Sequence, residues 1–490
     1  MNYAAVCRSL GGIVLLIAAG MFLCLVFGWI EGFAGIAERS HSAGMTWGSI
    51  AALSGAVILW FAGRNGPREI LRKEAVAIVG LGWIAAGFFG ALPFWLGGHG
   101  LGPAAAWFES VSGFTTTGST VIVDLHAVPR DLLLWRGMTQ WMGGAGILVL
   151  FVALLQQSGV GSRSLFRHES SAREEESHLA HARGTAATLW SIYLGLSVVC
   201  FLGLWILSGD YFAALTHAFT AVATGGFSPY NGSAAEFGSP AIEWWIMVFM
   251  ALGGLSFMLM ALVLARKWGR VREEEEGRVY LIILGTATAV VALSVWLARD
   301  DLAAADAIRG AAFQVISIMT TTGYVTENYD QWPTLARVIL LMLMILGGCA
   351  GSTAGGIKVG RLILLLKIAR QEIIRTFRPA QVFALRLNGR RISPGMVPQT
   401  LFFIALNTLL IGAGTAIVAL LEPQFGMVDC LGAVVATLFN IGPGFGSVGA
   451  VQNFAHLGDA TLMFLSVLML LGRLELFVVL ALLVPALWRR

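Results

Sequence analysis

The chain has 490 residues, 57% of them hydrophobic and only 12% charged, with a formal net charge of +4 and a mean hydropathy of +0.77. Such a composition excludes a water-facing soluble enzyme and a disordered chain, and the basic residues cluster at the ends of apolar runs instead of forming a nucleic-acid-binding face. Five cysteines (Cys7, Cys24, Cys200, Cys349, Cys430) have no paired spacing and lie mostly inside apolar runs, which argues against a disulfide or metal framework.

A bilayer-crossing helix needs about 20 mostly apolar residues. The first such run, Leu10 to Ile30, is longer than a signal-peptide core and lacks a small-residue cleavage site, so it reads as an uncleaved helix. Further spans fall at 46–62, 75–96, 132–155, 185–207, 241–264, 279–298, 335–370, 400–421 and 460–487, ten crossings with only the eighth interrupted. Four half-apolar segments, 103–114, 211–222, 306–319 and 427–438, are too short to cross and suit re-entrant helices.

Basic residues set the orientation. Arg64, Arg68, Arg72 and Lys73 share one break, Arg163, Arg167, Arg173 and Arg183 the next alternate one, then Arg266, Lys267, Arg270 and Arg272, and the break from Lys358 to Arg391 holds nine Lys or Arg against the single Glu372. The intervening loops hold Asp124, Asp131, Glu236, Asp300, Asp301, Asp306, Glu327, Asp330, Glu422 and Asp429. The positive-inside rule then places both termini in the cytoplasm and the four short segments on the outer side. The outer carboxylates have two readings: a mouth that concentrates cations, or loops left acidic because basic ones are retained inside.

Each short segment ends in a Gly-containing knot: SGFTTTGST (112–120), TAVATGGFSP (220–229), SIMTTTGYVT (317–326) and LFNIGPGFGSVG (438–449). Aligning Gly118, Gly225, Gly323 and Gly442 gives spacings of 107, 98 and 119 residues, each knot flanked by an apolar crossing on either side. The unit of helix, half-helix, loop and helix therefore occurs four times. It divides the chain into two extra N-terminal helices (1–68) and pore repeats at 69–160, 161–272, 273–390 and 391–490, an all-α polytopic membrane fold with a pseudo-fourfold pore.

Non-helical backbone at membrane depth survives where it lines a water-filled path or is packed in protein. Gly permits the backbone angles that aim successive carbonyls at one axis, and rings of carbonyls replace the hydration shell of a monovalent cation. The candidate filter is Thr116, Thr117 and Gly118; Ala223, Thr224 and Gly225; Thr321, Thr322 and Gly323; and Asn440, Ile441 and Gly442. Thr hydroxyls at 115–117 and 320–322 either add oxygen ligands or brace the loops from behind. Half-helices entering from outside point their partially negative C-termini at the centre, favouring a cation there.

The interrupted eighth span breaks at GGCAGSTAGG, residues 347–356, more small residues than close helix packing requires. It reads as an unwound segment on the cytoplasmic side of the filter, where a gate belongs, with Gly347, Gly348, Gly351, Ser352, Thr353, Gly355, Gly356 and Lys358 as its residues. Arg473, deep in the last span, needs acceptors at that depth, and the carbonyls of 347–356 are the better candidate because Glu475 lies on another helix face. Glu109, inside the first half-helix, either receives hydrogen bonds behind the first loop or is an outer-vestibule charge. GFGSVG (444–449) lacks a βαβ context and GSTAGGIK (351–358) lacks the Lys-Ser/Thr of a P-loop, so no nucleotide is expected on this chain, and no enzyme motif occurs. His178 and His181 lie in an Arg/Glu-rich loop and read as surface.

Together SGFTTTGS, ATGGFSP, MTTTGY, NIGPGFG, TQWMGGAGI (139–147), GGCAGSTAGGIK and GRLE (472–475) resemble, in order and across essentially the whole chain, the Trk/Ktr/HKT superfamily of potassium transporters, most closely its bacterial TrkH/TrkG branch. The two extra helices before residue 70 suit that branch. The resemblance implies a potassium-channel-like fold, potassium bound in the filter, a homodimer in the bacterial cytoplasmic membrane, and a cytosolic nucleotide-binding regulatory ring of the TrkA kind. Gly at the filter position of all four repeats fits potassium, since some sodium-favouring plant relatives have Ser in the first. Cys349 departs from the Ser more usual in the family. The competing functional class is an alternating-access symporter with another cargo, which should carry helix breaks from opposite sides.

Overall fold

The computed structural model describes residues 1–35, 41–67, 71–97, 100–157, 171–379, 385–392 and 395–488, without the side chains of Arg72, residues 148–183 and Arg390. Arg68, Arg163 and Arg167, and the side chains of Arg173, Arg183, His178 and His181, thus lie outside the described residues, as do the boundaries expected at 68–69 and 160–161.

The chain opens with a helical hairpin, α1 (Tyr3–Phe33) and α2 (Ala43–Gly63). The first repeat is α3 (Arg72–Leu96), the half-helix α4 (Pro103–Phe114) and α5 (Arg130–Gln157), and the second is α6 (Ser171–Ser208), α7 (Tyr211–Val222), α8 (Pro240–Gly254) and α9 (Phe257–Leu264). After the short α10 (Trp268–Glu273), the third repeat runs through α11 (Glu276–Ala298), α12 (Ala304–Met319), α13 (Thr334–Ile345) and α14 (Val359–Phe377). The fourth comprises α15 (Met396–Leu421), α16 (Met427–Leu438), α17 (Asp459–Arg473), α18 (Phe477–Leu483) and α19 (Pro485–Trp488). A two-residue ribbon, Arg386–Leu387 against Arg390–Arg391, turns at Asn388 and Gly389, both with positive φ, the turn that Asn-Gly favours.

Among the described residues six helices are long and apolar enough to cross a membrane unbroken: α1, α2, α3, α6 from Gly184, α11 and α15. Two expected continuous spans are broken instead, α8 and α9 bending by 101° and α17 and α18 by 118°. Gly253 and Gly254 end α8, and the carbonyls released by the break are taken up by another segment, Thr353 N–H donating to Gly253 O at 3.2 Å and Cys349 N–H to Gly254 O at 2.8 Å. After α17, Glu475 and Leu476 both adopt positive φ, turning the chain away.

The lipid-facing surface is apolar, with Leu15, Phe22, Ile58 and Leu420 exposed and Trp29, Trp60, Trp95 and Trp296 near helix ends, where interfacial aromatics belong. The buried core closes on itself. One cluster joins the N-terminal hairpin and first repeat to Phe212 of α7, a second joins the second repeat to Phe313 and Tyr324, and a third joins the last two repeats to Phe108 and Val111 of α4. Each repeat therefore packs on the next, and the fourth on the first.

Candidate ion filter and gating segment

The half-helices α4, α7, α12 and α16 end in one local structure. Thr117, Gly225, Thr322 and Ile441 N–H groups donate five residues back, to Ser112, Thr220, Ser317 and Ala436 carbonyls, at 2.8–2.9 Å. The preceding residues, Thr116, Thr224, Thr321 and Asn440, have φ of 52°, 52°, 56° and 57°. This is the Schellman termination, normally built on Gly at the left-handed position. Holding threonine there costs on the order of 1–2 kcal/mol each, strain of the kind that gathers at functional sites.

Two residues later φ is positive again, at Gly118 (86°), Gly226 (78°), Gly323 (80°) and Gly442 (102°). The second loop's equivalent of Gly118 is therefore Gly226, correcting the expected Gly225. Ala223, Thr224 and Gly225 correspond to Thr115, Thr116 and Thr117, and the spacing becomes 108, 97 and 119 residues. The sequence offers two adjacent glycines, and only the backbone angles choose between them.

A side chain on any of these glycines would strike a neighbouring loop. A Cβ on Gly118 would meet Gly225 O, one on Gly226 Thr322 O, one on Gly323 Ile441 O, and one on Gly442 Thr117 O. First loop faces second, second third, third fourth and fourth first, so four equivalent carbonyls close a ring. The hydroxyls brace: Thr115 Oγ1 pairs with Thr117 Oγ1 at 2.7 Å and Thr320 Oγ1 with Thr322 Oγ1 at 2.8 Å. Ser112 Oγ and Ser317 Oγ donate to Ser119 O and Tyr324 O at 2.6 and 2.7 Å. Thr116 Oγ1 and Asn440 Oδ1 are buried without a protein partner, oxygens available to a cation or its water.

Behind the first loop sits a buried ion pair that the sequence half disclosed. Arg136 Nε meets Glu109 Oε1 at 2.8 Å, its other nitrogens reach Ser228 O (3.0 Å) and Thr120 Oγ1 (3.2 Å), and its guanidinium lies 4.1 Å over Phe227. Glu109 also accepts from Val121 N–H at 2.9 Å, so it braces the loop and is no vestibule charge. Arg136 carries the same sequence signal that marks Arg473, a charge inside an apolar run.

The segment 346–358 leaves and rejoins its span through Gly347 N–H to Ile357 O (2.9 Å) and Ile357 N–H to Ile345 O (3.0 Å). Between those bonds it touches the second, third and fourth repeats, and it is linked to the first through Arg473. Thr353 Oγ1 donates to Val222 O (3.0 Å), Thr353 O accepts from Arg473 at 2.7 Å, and Gly355 N–H donates to Thr321 Oγ1 at 2.6 Å. Gly355 also lies against Phe439 O, where a Cβ would not fit. Arg473 further reaches Gly143 O of α5 at 3.3 Å. Gly348 and Gly351 accept or adjoin bonds from the flanking helices, Val359 N–H to Gly348 O (3.2 Å) and Phe257 N–H to Gly351 O (3.1 Å), while Ser352 Oγ donates to Cys349 O (2.6 Å) and Gly356 has φ 67°. Lys358 Nζ donates to Ala354 O. Glu475 pairs with Arg361 on α14 and not with Arg473. Glu276, at the start of α11, accepts from Ala350 N–H (2.7 Å) and Gly360 N–H (2.8 Å) through one oxygen, tying the interior of the segment to the first turn of α14.

The outer carboxylates mostly hold loops. Asp131 caps Ser42 N–H at 2.7 Å, Glu422 caps Gly458 N–H at 2.8 Å, Asp429 accepts from Ser447 N–H at 2.6 Å, and Glu327 pairs with Arg299 at 3.6 Å. The Asn231 amide and His126 N–H hold the Asp124 carboxyl below its ordinary range, whereas burial raises Asp330 despite the Gly446 N–H beside it. Among the described residues no cluster of His, Cys, Asp or Glu could hold a metal ion.

A helical membrane protein whose four half-helices deliver a ring of carbonyls beside an unwound, hydrogen-bonded segment is built as a cation transporter. Residues 41–489 match the family model described as TrkH, cation transport protein. The chain is 35% identical to the Trk system potassium uptake protein TrkH of Escherichia coli K12 across the whole of both chains, and 30% identical to TrkG of the same organism across 88% of each. The crystal structure of the potassium transporter TrkH from Vibrio parahaemolyticus superposes with a TM-score of 0.87 at 31% identity, covering both chains completely. The chain belongs to the TrkH family of cation transport proteins.

Proposed function

We propose that this chain is the membrane subunit of a potassium uptake system, passing the dehydrated ion through the ring of Thr117, Gly225, Thr322 and Ile441 carbonyls. The observation that carries the reading is the closed cycle of contacts between each loop's left-handed glycine and its neighbour's carbonyl, a backbone cage suited to a monovalent cation. The names of the TrkH and TrkG relatives support potassium as the cargo. The segment Gly347–Gly356 is the gate, with Arg473 holding it across the path by hydrogen bond and by a positive charge that opposes cation entry. The ring speaks against the alternating-access alternative, because four like loops follow one another around one axis where a symporter would pair inverted halves.

The chain works in the bacterial cytoplasmic membrane with both termini in the cytoplasm, as a homodimer, and with a nucleotide-binding ring subunit of the TrkA kind against the basic stretch between Lys358 and Arg391. Arg361, Lys367 and Arg375 are already paired with Glu475, Glu275 and Glu372, and Lys358 donates to Ala354 O, leaving, among the described side chains, Arg370, Arg378, Arg386 and Arg391 as the charges offered to that partner. Flux of potassium and rubidium against sodium in proteoliposomes tests the core of the reading. Gly118→Ser and Gly323→Ser should each relax the preference for potassium, and an unchanged preference in both would remove the filter assignment.

A further inference from the structure

Gln140 lies one turn below Arg136 on α5, fully buried behind the second loop. Its Nε2 donates to Gly225 O at 2.6 Å, and its Oε1 accepts from Phe227 N–H at 3.0 Å. Since a backbone N–H only donates, the Phe227 bond fixes which way the amide points. Gly225 O is one of the four ring carbonyls. The three equivalents, Thr117, Thr322 and Ile441 O, receive no such side-chain bond among the described residues.

The reason lies in the loop itself. The first and third loops carry threonines at the ring position whose hydroxyls pair with Thr115 and Thr320, and the fourth carries the more rigid Ile441 beside Asn440, whose amide donates to Thr117 Oγ1 (2.9 Å) and Met469 O (3.0 Å). The second has Gly225 followed by Gly226, two residues with no side chain to brace and the widest backbone freedom of any pair. We propose that Gln140 is the specificity-setting positioning residue of this filter, an external brace that replaces the missing threonine and fixes the Gly225 carbonyl at the radius the other three define. A carbonyl so held cannot collapse onto a smaller ion, so discrimination against sodium depends on it. The inference rests on the filter reading above.

The test pairs two measurements on the purified full-length protein: the potassium-to-sodium flux ratio in proteoliposomes, and the difference in melting temperature between potassium and sodium in detergent. Gln140→Met keeps the length of the side chain and removes both hydrogen bonds. It should lower the flux ratio about two- to tenfold, the span that loss of one hydrogen bond sets, and shrink the difference in melting temperature between the ions. If that variant does not assemble, Gln140→Asn, polar but too short to span both groups, carries the same expectation. A residue that only supports the fold would lower melting equally in both ions and leave the ratio unchanged, which overturns the proposal. Gly118→Ser, measured alongside, separates the two failures: a ratio altered by Gly118→Ser but not by Gln140→Met sinks the role of Gln140 alone, whereas a ratio altered by neither sinks the filter itself.

Discussion

Gly225 and Gly226 differ in what a methyl group would meet. At Gly226, φ is positive and the methyl would run into the backbone carbonyl of Thr322, whereas at Gly225 it would press on the Gln140 side chain. Gly226→Ala should therefore damage transport and ion preference more than Gly225→Ala, with a left-handed penalty of about 1–2 kcal/mol added to the clash; equal effects in a flux assay would contradict the register assigned here. The Glu109–Arg136 pair makes a stability prediction of the same kind. Both side chains are buried, so removing one leaves an uncompensated charge. Arg136→Met should cost about 3–5 kcal/mol, while Arg136→Met combined with Glu109→Gln should recover part of it. Thermal melts of the single and double variants check that order.

At the scale of elements, the proposed gating segment is held at two points: at Ala350 by Glu276, which also binds Gly360 of α14, and at Thr353, which donates to Gly253 O and accepts from Arg473 of α17. Five glycines lower the barrier to rearranging it, and a guanidinium with five donors ties carbonyls from two repeats. Arg473→Ala, or removal of a few residues between Gly347 and Gly356, should raise flux without altering which ion is preferred, because the ring lies elsewhere. Correctly assembled variants with flux at or below the parent level would eliminate the gate role. Glu276→Ala frees the Ala350 and Gly360 N–H groups together and should act in the same direction. The broken helices belong to this argument: carbonyls freed at Gly253 and Gly254 are the docking points of the segment, so the bend of α8 and α9 exists to receive it.

The whole molecule is a ring of four repeats closed by core contacts, with a helical hairpin on the outside of the first. Its basic charge is concentrated near α14 and the Asn388–Gly389 turn, where Lys367 also donates to Arg386 O at 2.8 Å. Neutralising Arg386, Arg390 and Arg391 should weaken pull-down of the proposed cytosolic ring subunit; intact binding would assign those charges to anionic lipid headgroups instead.

Membrane insertion, the four half-helices, the unwound segment between α13 and α14 and the buried Arg473 were legible in the sequence, because each is written in local chemistry: apolar length, Gly-centred knots at regular spacing, and a charge with no water near it. The fourfold ring was inferable from repetition, but its register in the second loop was not, since Gly225 and Gly226 are chemically identical and only backbone angles separate them. The break after Gly254 was hidden because a Gly pair in an apolar span ordinarily marks close helix packing, and it becomes a bend only when another segment supplies partners for the freed carbonyls; the break after Arg473 rests on positive φ at Glu475 and Leu476, residue types that announce no turn. Arg136 carried the same readable signal as Arg473, a charge inside an apolar run, and the ribbon at Asn388–Gly389 carried one in its Asn-Gly turn. What tertiary structure alone decided is which distant groups meet: Gln140 with Gly225, Arg473 with Thr353 and Gly143, Glu276 with Ala350 and Gly360. Hydrogen bonds between residues some 75 to 330 positions apart depend on how the repeats close around their axis, and no local pattern encodes that closure.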